Sequence, residues 1–180
     1  MNFKEALAVG KTGETRVARW LMTQGRSILP IYEIAENQYK GPTFYCESKP
    51  DGLIAPDMLV IGPYSKAWIE VKTKTAFSWH RNTERFVTGI DFKHYSHYLK
   101  IAQLTGWPVW LFFLHSSGGI AKDTPPDMAS PAGLFGGNIL RLELCENHRH
   151  DGWGTSGMVY WAVENLEKIA GIKQFEGNLC

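Results

Sequence analysis

Apolar and polar positions follow two rhythms along this chain, and the changes of rhythm divide it into elements. In residues 3–24, Leu7, Gly10, Glu14, Val17 and Leu21 recur at steps of three and four, which sets them on one face of an amphipathic helix ended by Gly25. Residues 27–35 predict a strand through Ile28, Leu29, Ile31, Tyr32 and Ile34, broken or bulged at Pro30, which has no N–H for a ladder. Residues 36–55 are polar and rich in turn pairs (Gly41-Pro42, Lys49-Pro50, Asp51-Gly52), the pattern of an insertion. A hairpin follows: an apolar run over 58–61, a turn cluster Gly62-Pro63-Tyr64-Ser65, and a second strand from Ala67 to about residue 74. The two-residue period of that second strand puts Trp68, Glu70, Lys72 and Lys74 on one face and Ile69, Val71 and Thr73 on the other.

Residues 75–89 interleave basic and aromatic side chains. They read equally as a loop in which Arg81 and Arg85 track a phosphate backbone while Phe77 or Trp79 stacks on bases, or as a solvated hairpin with its aromatics buried. Asp91 is placed as an N-cap, Gly106 as the glycine after the last turn and Pro108 as a stop. The helix between them is expected to bury Phe92, Tyr95, Leu99 and Ala102 and to offer Lys93, His97 and Lys100 on another side. The continuous apolar run over 107–114 predicts a strand buried on both faces. A Gly/Pro/Ser-rich connection over 115–136 then leads to two further expected strands, 138–145 and 158–163, and to a short closing helix over 164–170.

Size and composition narrow the class. A chain of 180 residues, 44% hydrophobic and 21% charged, is expected to form one domain with a core of its own. No apolar run approaches the ~18 residues of a membrane span, and the start of the chain lacks a hydrophobic signal core. With an odd, widely spaced set of cysteines (Cys46, Cys145, Cys180), this points to a reducing cytoplasm. Net charge is only +1, but residues 66–100 hold seven Lys/Arg against three acids (Glu70, Glu84, Asp91), a concentration suited to a polyanion.

The candidate chemistry lies on the hairpin. Asp57 heads its first strand, and pairing with the second brings that carboxylate beside Glu70, with Lys72 on the same face. Hard divalent cations such as Mg²⁺ take carboxylate and carbonyl oxygens and keep several waters where only one or two carboxylates bind them. Glu14 falls within the apolar stripe of the first helix, where an acid is costly unless paired or bound to a cation. Gly10-Lys11-Thr12 is not a phosphate loop, because Glu5 stands at the first glycine position and no strand precedes it. Cys145, His148 and His150, with Cys46, lack zinc spacing and read as parts of polar loops.

The order Pro56-Asp57, apolar strand, turn, apolar strand, Glu70-Val71-Lys72 resembles the signature of the PD-(D/E)xK nuclease superfamily. The Gly-x-x-Gly-Glu pattern from Gly10 to Glu14 is similar to the opening of its Holliday-junction-resolvase branch. Where that branch carries a glutamine near the start of the second helix, this chain has His94, Tyr95 and His97. The resemblance implies an α/β, restriction-endonuclease-like αβββαβ core over residues 1–115, a mixed sheet flanked by helices, with 116–180 adding further strands to the same domain. It implies metal-dependent hydrolysis of DNA phosphodiester bonds, as an endonuclease acting on branched DNA. Asp57, Glu70 and the Val71 carbonyl would hold Mg²⁺, with Mn²⁺ as a substitute, and Glu14 would assist through the metal shell. Lys72 would orient the attacking water. Lys74, Arg81, Arg85, Lys93, His97 and Lys100 would contact nucleic acid, and a homodimer is plausible. The rival expectation is a nucleic-acid-binding or interaction module that keeps the fold without catalysis; paired acids beside phosphates argue against it.

Overall fold

The computed structural model describes residues 3–31, 43–119, 124–152 and 156–176, and the side chains of those numbered 10 to 175. The first helix, α1 (Phe3–Thr23), ends at Gly25, whose φ of 74° is the left-handed value that glycine adopts without steric cost. Strand β1 (Ser27–Pro30) pairs antiparallel with β4 (Met58–Ile61), and β4 pairs antiparallel with β5 (Lys66–Lys74), Met58 standing opposite Ile69. Pro30 stands at the end of β1, an edge strand where a missing N–H costs least, and Ile31 after it is outside any strand. The rest of the strand expected over 27–35 lies outside the described residues.

Helix α2 (Phe92–Thr105) carries the chain to β8 (Val109–His115), which lies parallel to β5 from Trp68 opposite Val109 to Lys74 opposite His115. Its caps are those the sequence names: the Asp91 carboxylate accepts from the Lys93 amide, and Gly106 turns at φ 65°. Beyond β8, strand β9 (Gly133–Asn138) and strand β12 (Glu167–Ala170) complete a six-stranded mixed sheet in the order β1-β4-β5-β8-β9-β12. The fold is α/β, a mixed sheet flanked by helices.

Each face of that sheet has its own core, because β5 and β8 alternate between them. Ile69, Val71, Phe112 and Leu114 join Met58, Val60, Leu134 and Ala170 against Val17 and Leu21 of α1 and Phe175 of α4 (Lys173–Glu176). Trp68, Val109, Leu111, Phe113 and Phe135 face the other way, onto Tyr95, Tyr98, Ile101 and Ala102 of α2 and onto Ile139 and Leu142 of α3 (Ile139–Leu142). At about 1.5–3 kcal/mol for each fully buried large apolar side chain, these two layers supply the main driving force of folding. α1 meets β5 closely: a Cβ on Gly13 would overlap the Thr73 hydroxyl, so only glycine lets the helix settle there.

Several elements differ from expectation. The insertion over 36–55 carries a hairpin, β2 (Thr43–Cys46) and β3 (Lys49–Ile54), and residues 32–42 lie outside the described residues. Residues 75–89 form the solvated hairpin of the two readings: β6 (Ser78–His80) pairs with β7 (Arg85–Asp91), and Phe77 is buried beneath. With β10 (His148–His150) and β11 (Met158–Ala162) they make a second sheet, β10-β11-β7-β6.

The strand expected over 138–145 is instead a helical turn. The Asn138 side chain caps α3 by accepting from the Leu140 amide, Ile139 and Leu142 bury at helical spacing, and a 3₁₀ turn follows over Glu143–Cys145. The closing helix expected over 164–170 is a 3₁₀ turn (Val163–Asn165) followed by strand β12, which buries Ala170. On α2 the buried stripe is Tyr95, Tyr98, Ile101 and Ala102, rotated from the predicted one, while Phe92 and Leu99 are only half-buried. No helix among the described residues is long and apolar enough to cross a membrane.

Candidate active site

The hairpin fixes its acids through the backbone. One step beyond the Met58–Ile69 pair, Asp57 comes beside Glu70 and Val71, and its Oδ2 accepts the Val71 amide at 2.7 Å. The Asp57 carbonyl accepts the Ile31 amide at 2.9 Å, which ties the residue to the edge strand as well. Glu70 points with Trp68 into the α2 side of the sheet, where it is only 2% exposed. One of its oxygens, Oε1, pairs with the Lys72 ammonium, and the Tyr98 hydroxyl also hydrogen-bonds the carboxylate. The other oxygen, Oε2, is buried without a partner among the described residues. A buried, unpaired carboxylate oxygen is costly, and a bound cation is the natural way to satisfy it.

The electrostatics report a crowd of acids around one ammonium. Burial, then Glu70, raises Asp57 to about 8, against opposing pulls from Lys72 and the Val71 amide. Glu14 of α1 is also raised, by burial and then by Glu70, with Lys72 and Lys11 pulling it down. Burial pushes Lys72 down, but Glu70, Asp57 and Glu14 outweigh it and hold the ammonium above its ordinary range. The structure thus gathers all four residues that the sequence nominates. Three carboxylates face one lysine, an excess of negative charge that a divalent cation would offset. No group of three or more His, Cys, Asp or Glu side chains among the described residues converges as a metal cage. Two carboxylates and a main-chain carbonyl are the sparser set that Mg²⁺ tolerates because it keeps its waters. The residues present therefore fit such an ion.

The coupling has a measurable sign. In EDTA, Asp57 binds its proton more tightly folded, near 8, than unfolded, near 3.8. Its contribution is therefore full stability at low pH, lost as pH rises from about 4 to about 8. Asp57→Asn should remove that slope, so thermal melts of variant and wild type should diverge as pH rises, with the variant more stable at pH 8. Mg²⁺ should raise the wild-type melting temperature more at pH 8 than at pH 5, because it favours the ionised acid.

Two neighbours were not nominated by sequence reasoning. Tyr98 is buried against Glu70, and its hydroxyl is held in the protonated form by burial and by the surrounding acids. His94, one turn before it, has a buried Nδ1 with no partner among the described residues. Burial and then Lys72 keep its imidazole toward the neutral form, while Glu70 and Asp91 pull the other way. The four-residue step from His94 to Tyr98 was the available signal, hidden by taking the wrong stripe of α2 as buried.

The six expected nucleic-acid contacts are dispersed. Lys74 is inside the fold: its ammonium donates to the Gly89 carbonyl at 2.6 Å, and burial followed by Lys72 lowers it to about 8. His97 Nδ1 accepts the Ile54 amide at 2.9 Å and so docks the β2–β3 hairpin onto α2. Arg85 pairs with Glu164 at 3.4 Å. Arg81 borders a shallow pocket with Trp79, Glu84, Pro125 and Met128. Lys93 and Lys100 are exposed on α2.

The cysteine and histidine set is accounted for structurally. Cys145 bonds to carbonyls of its own helical turn, and the His148 ring is stacked between His80 and Tyr160, at 3.8 and 4.5 Å between centroids. His150 accepts the Gly152 amide at 3.1 Å.

Sheet order and flanking helices make this a resolvase/restriction-endonuclease-like fold. The solved structure of a Holliday junction resolvase from Archaeoglobus fulgidus, Hjc, is similar over 89% of this chain and 91% of its own, with a TM-score of 0.50 at 10% identity. The structure of D212, a nuclease from a fusselovirus, aligns over 92% of this chain and 84% of its own, with a TM-score of 0.41 and 13% identity. No protein-family model and no curated protein matches the sequence.

Proposed function

We propose that the protein is a metal-dependent nuclease that hydrolyses DNA phosphodiester bonds, with branched DNA as its preferred substrate. The observation that carries the reading is the buried Glu70 carboxylate, latched beside Asp57 and paired to Lys72, with one oxygen left unpartnered. The nuclease fold supports it, and the fold of the archaeal resolvase is the reason to place branched DNA first.

Asp57, Glu70 and the Val71 carbonyl would hold the ion. Bound there, Mg²⁺ or Mn²⁺ supplies Lewis-acid polarisation of the phosphoryl oxygen and a more acidic water. Lys72 is positioned by Glu70 to donate to the attacking water or to a phosphate oxygen, where negative charge accumulates in the transition state. Tyr98 fixes the Glu70 carboxylate from the α2 side, so that residue cannot swing away when charge redistributes. Glu14 of α1 adds negative potential to the site, interacting electrostatically with Glu70 and Lys72.

A cleavage panel tests the proposal. Four-way junctions, plasmid and single strands should be cut in Mg²⁺ and left intact in EDTA, with junctions cut fastest at equal concentration. Plasmid and single strands cut faster than junctions would remove the branched-substrate assignment. No cleavage of any substrate, despite tight binding, would favour the non-catalytic module.

A further inference from the structure

The cations that sequence alone assigned to substrate binding are largely engaged within the fold, whereas a different basic stripe is left available. On α1, Lys11, Thr12, Thr15, Arg16 and Arg19 line one shallow groove along the helix. Their spacing (positions i, i+1, i+4, i+5 and i+8) gathers them on one side of the helix. Lys11 and Arg19 are exposed and Arg16 is half-buried. Among the described residues no carboxylate pairs with either arginine, and the Arg16 Nε is a buried donor with no acceptor. Arg16 and Arg19 have no acid three or four residues away, so they lack the pairs a helix can use for its own support.

The stripe also begins beside the candidate site, at Lys11, whose charge acts on Glu14. Gly13 seats α1 on Thr73, the residue after Lys72, and Glu14 interacts electrostatically with both Glu70 and Lys11. From Lys11 to Arg19 the helix rises about 12 Å, which is the length of about three to four steps of a duplex strand at 3.4 Å each.

On the reading of the protein as a nuclease, we infer that α1 is the track for the DNA backbone. Lys11, Arg16 and Arg19 each take a phosphate of the strand that leads into the site at Glu14. Lys74, Arg85 and His97 hold the fold together instead, and Lys93 and Lys100 lie on α2, a different helix.

The test measures binding of a four-way junction and of a plain duplex in Ca²⁺ over a range of salt, with single-turnover cleavage measured separately in Mg²⁺. In the triple variant Lys11→Gln/Arg16→Gln/Arg19→Gln, the slope of log affinity against log salt should become shallower by about two to three units, at ~0.9 per phosphate contact. Single-turnover cleavage at limiting DNA should fall in step with the lost affinity, since the three residues act through binding. The double variant Lys11→Gln/Arg19→Gln, at two exposed positions, should lose about two units and guards against misfolding at Arg16. The control pair Lys93→Gln/Lys100→Gln should change the slope by less than one.

An unchanged slope in both α1 variants, or the larger loss in the control pair, would overturn the α1 track and leave the nuclease reading standing. Wild-type protein that cuts and binds no DNA would overturn both. Wild-type protein that binds through α1 but cuts nothing keeps the track and removes only the catalytic reading.

Discussion

Replacing Glu70 with Gln, or Asp57 with Asn, should lower the Mg²⁺-dependent single-turnover rate by about a thousandfold or more while leaving the protein folded. Each change keeps the side-chain shape. Glu70→Gln retains an acceptor for the Tyr98 hydroxyl, and Asp57→Asn retains one for the Val71 amide. What each removes is a charged oxygen ligand, which a hard cation needs. Breaking a buried ion pair by deleting one partner ordinarily costs about 3–5 kcal/mol, because the other charge is stranded. Lys72 is not stranded here, since Asp57 and Glu14 also support its charge when Glu70 is neutral. Relief of repulsion among the three acids works in the same direction, so the melting temperature in EDTA should hold or rise. Isothermal titration with Mg²⁺ should show the loss of binding directly. Cleavage within about tenfold of wild type in either variant would remove that residue from the site.

Lys72→Ala should separate chemistry from binding. The Lys72 side chain is one-third exposed, and its ammonium pairs with Glu70. An interaction that strengthens as charge develops on the phosphate lowers the barrier without tightening the ground state. The single-turnover rate should therefore fall by about a hundred- to a thousandfold, and the affinity measured in Ca²⁺ should change by less than about threefold. Lys72→Arg should recover little, because a planar fork does not replace a compact point donor at a confined site. Loss confined to affinity, with the rate kept, would make Lys72 a phosphate contact and nothing more.

The parts of the fold legible in the sequence are those governed by local rules. Asp91 and Gly106 bound α2 because a cap and a left-handed glycine need only their own neighbours. The β4–β5 hairpin was legible because alternation, turn residues and the Glu70–Lys72 spacing all agree. Strand β9 was not, because three of its six residues are glycine, which weakens any strand signal. The reason for those glycines is tertiary: a Cβ on Gly136 would meet Phe112 and Ile169, and one on Gly137 would meet Leu142. Strand β12 is four residues long and polar at its start, so its pairing with β9, not its composition, makes it a strand. Tyr98 lies off the stripe that the sequence predicts to be buried, and only the fold shows that its hydroxyl ends on Glu70. In the charged stretch over 66–100, composition counts cations, whereas the fold pairs Lys74 with the Gly89 carbonyl and Arg85 with Glu164.

The seating of α4 on α1, with the Phe175 and Trp20 rings 5.6 Å apart, bears on how the molecule comes to exist. Every candidate catalytic residue has been synthesised by residue 72, yet the layer beneath β5 is closed by Ala170 and Phe175. On a translating ribosome the nascent chain therefore holds its acids on a sheet with one side still open and β9 still lacking its outer neighbour. The last nine residues of the described core, 167–175, act as a latch: the layer beneath the candidate site is complete only once they have emerged.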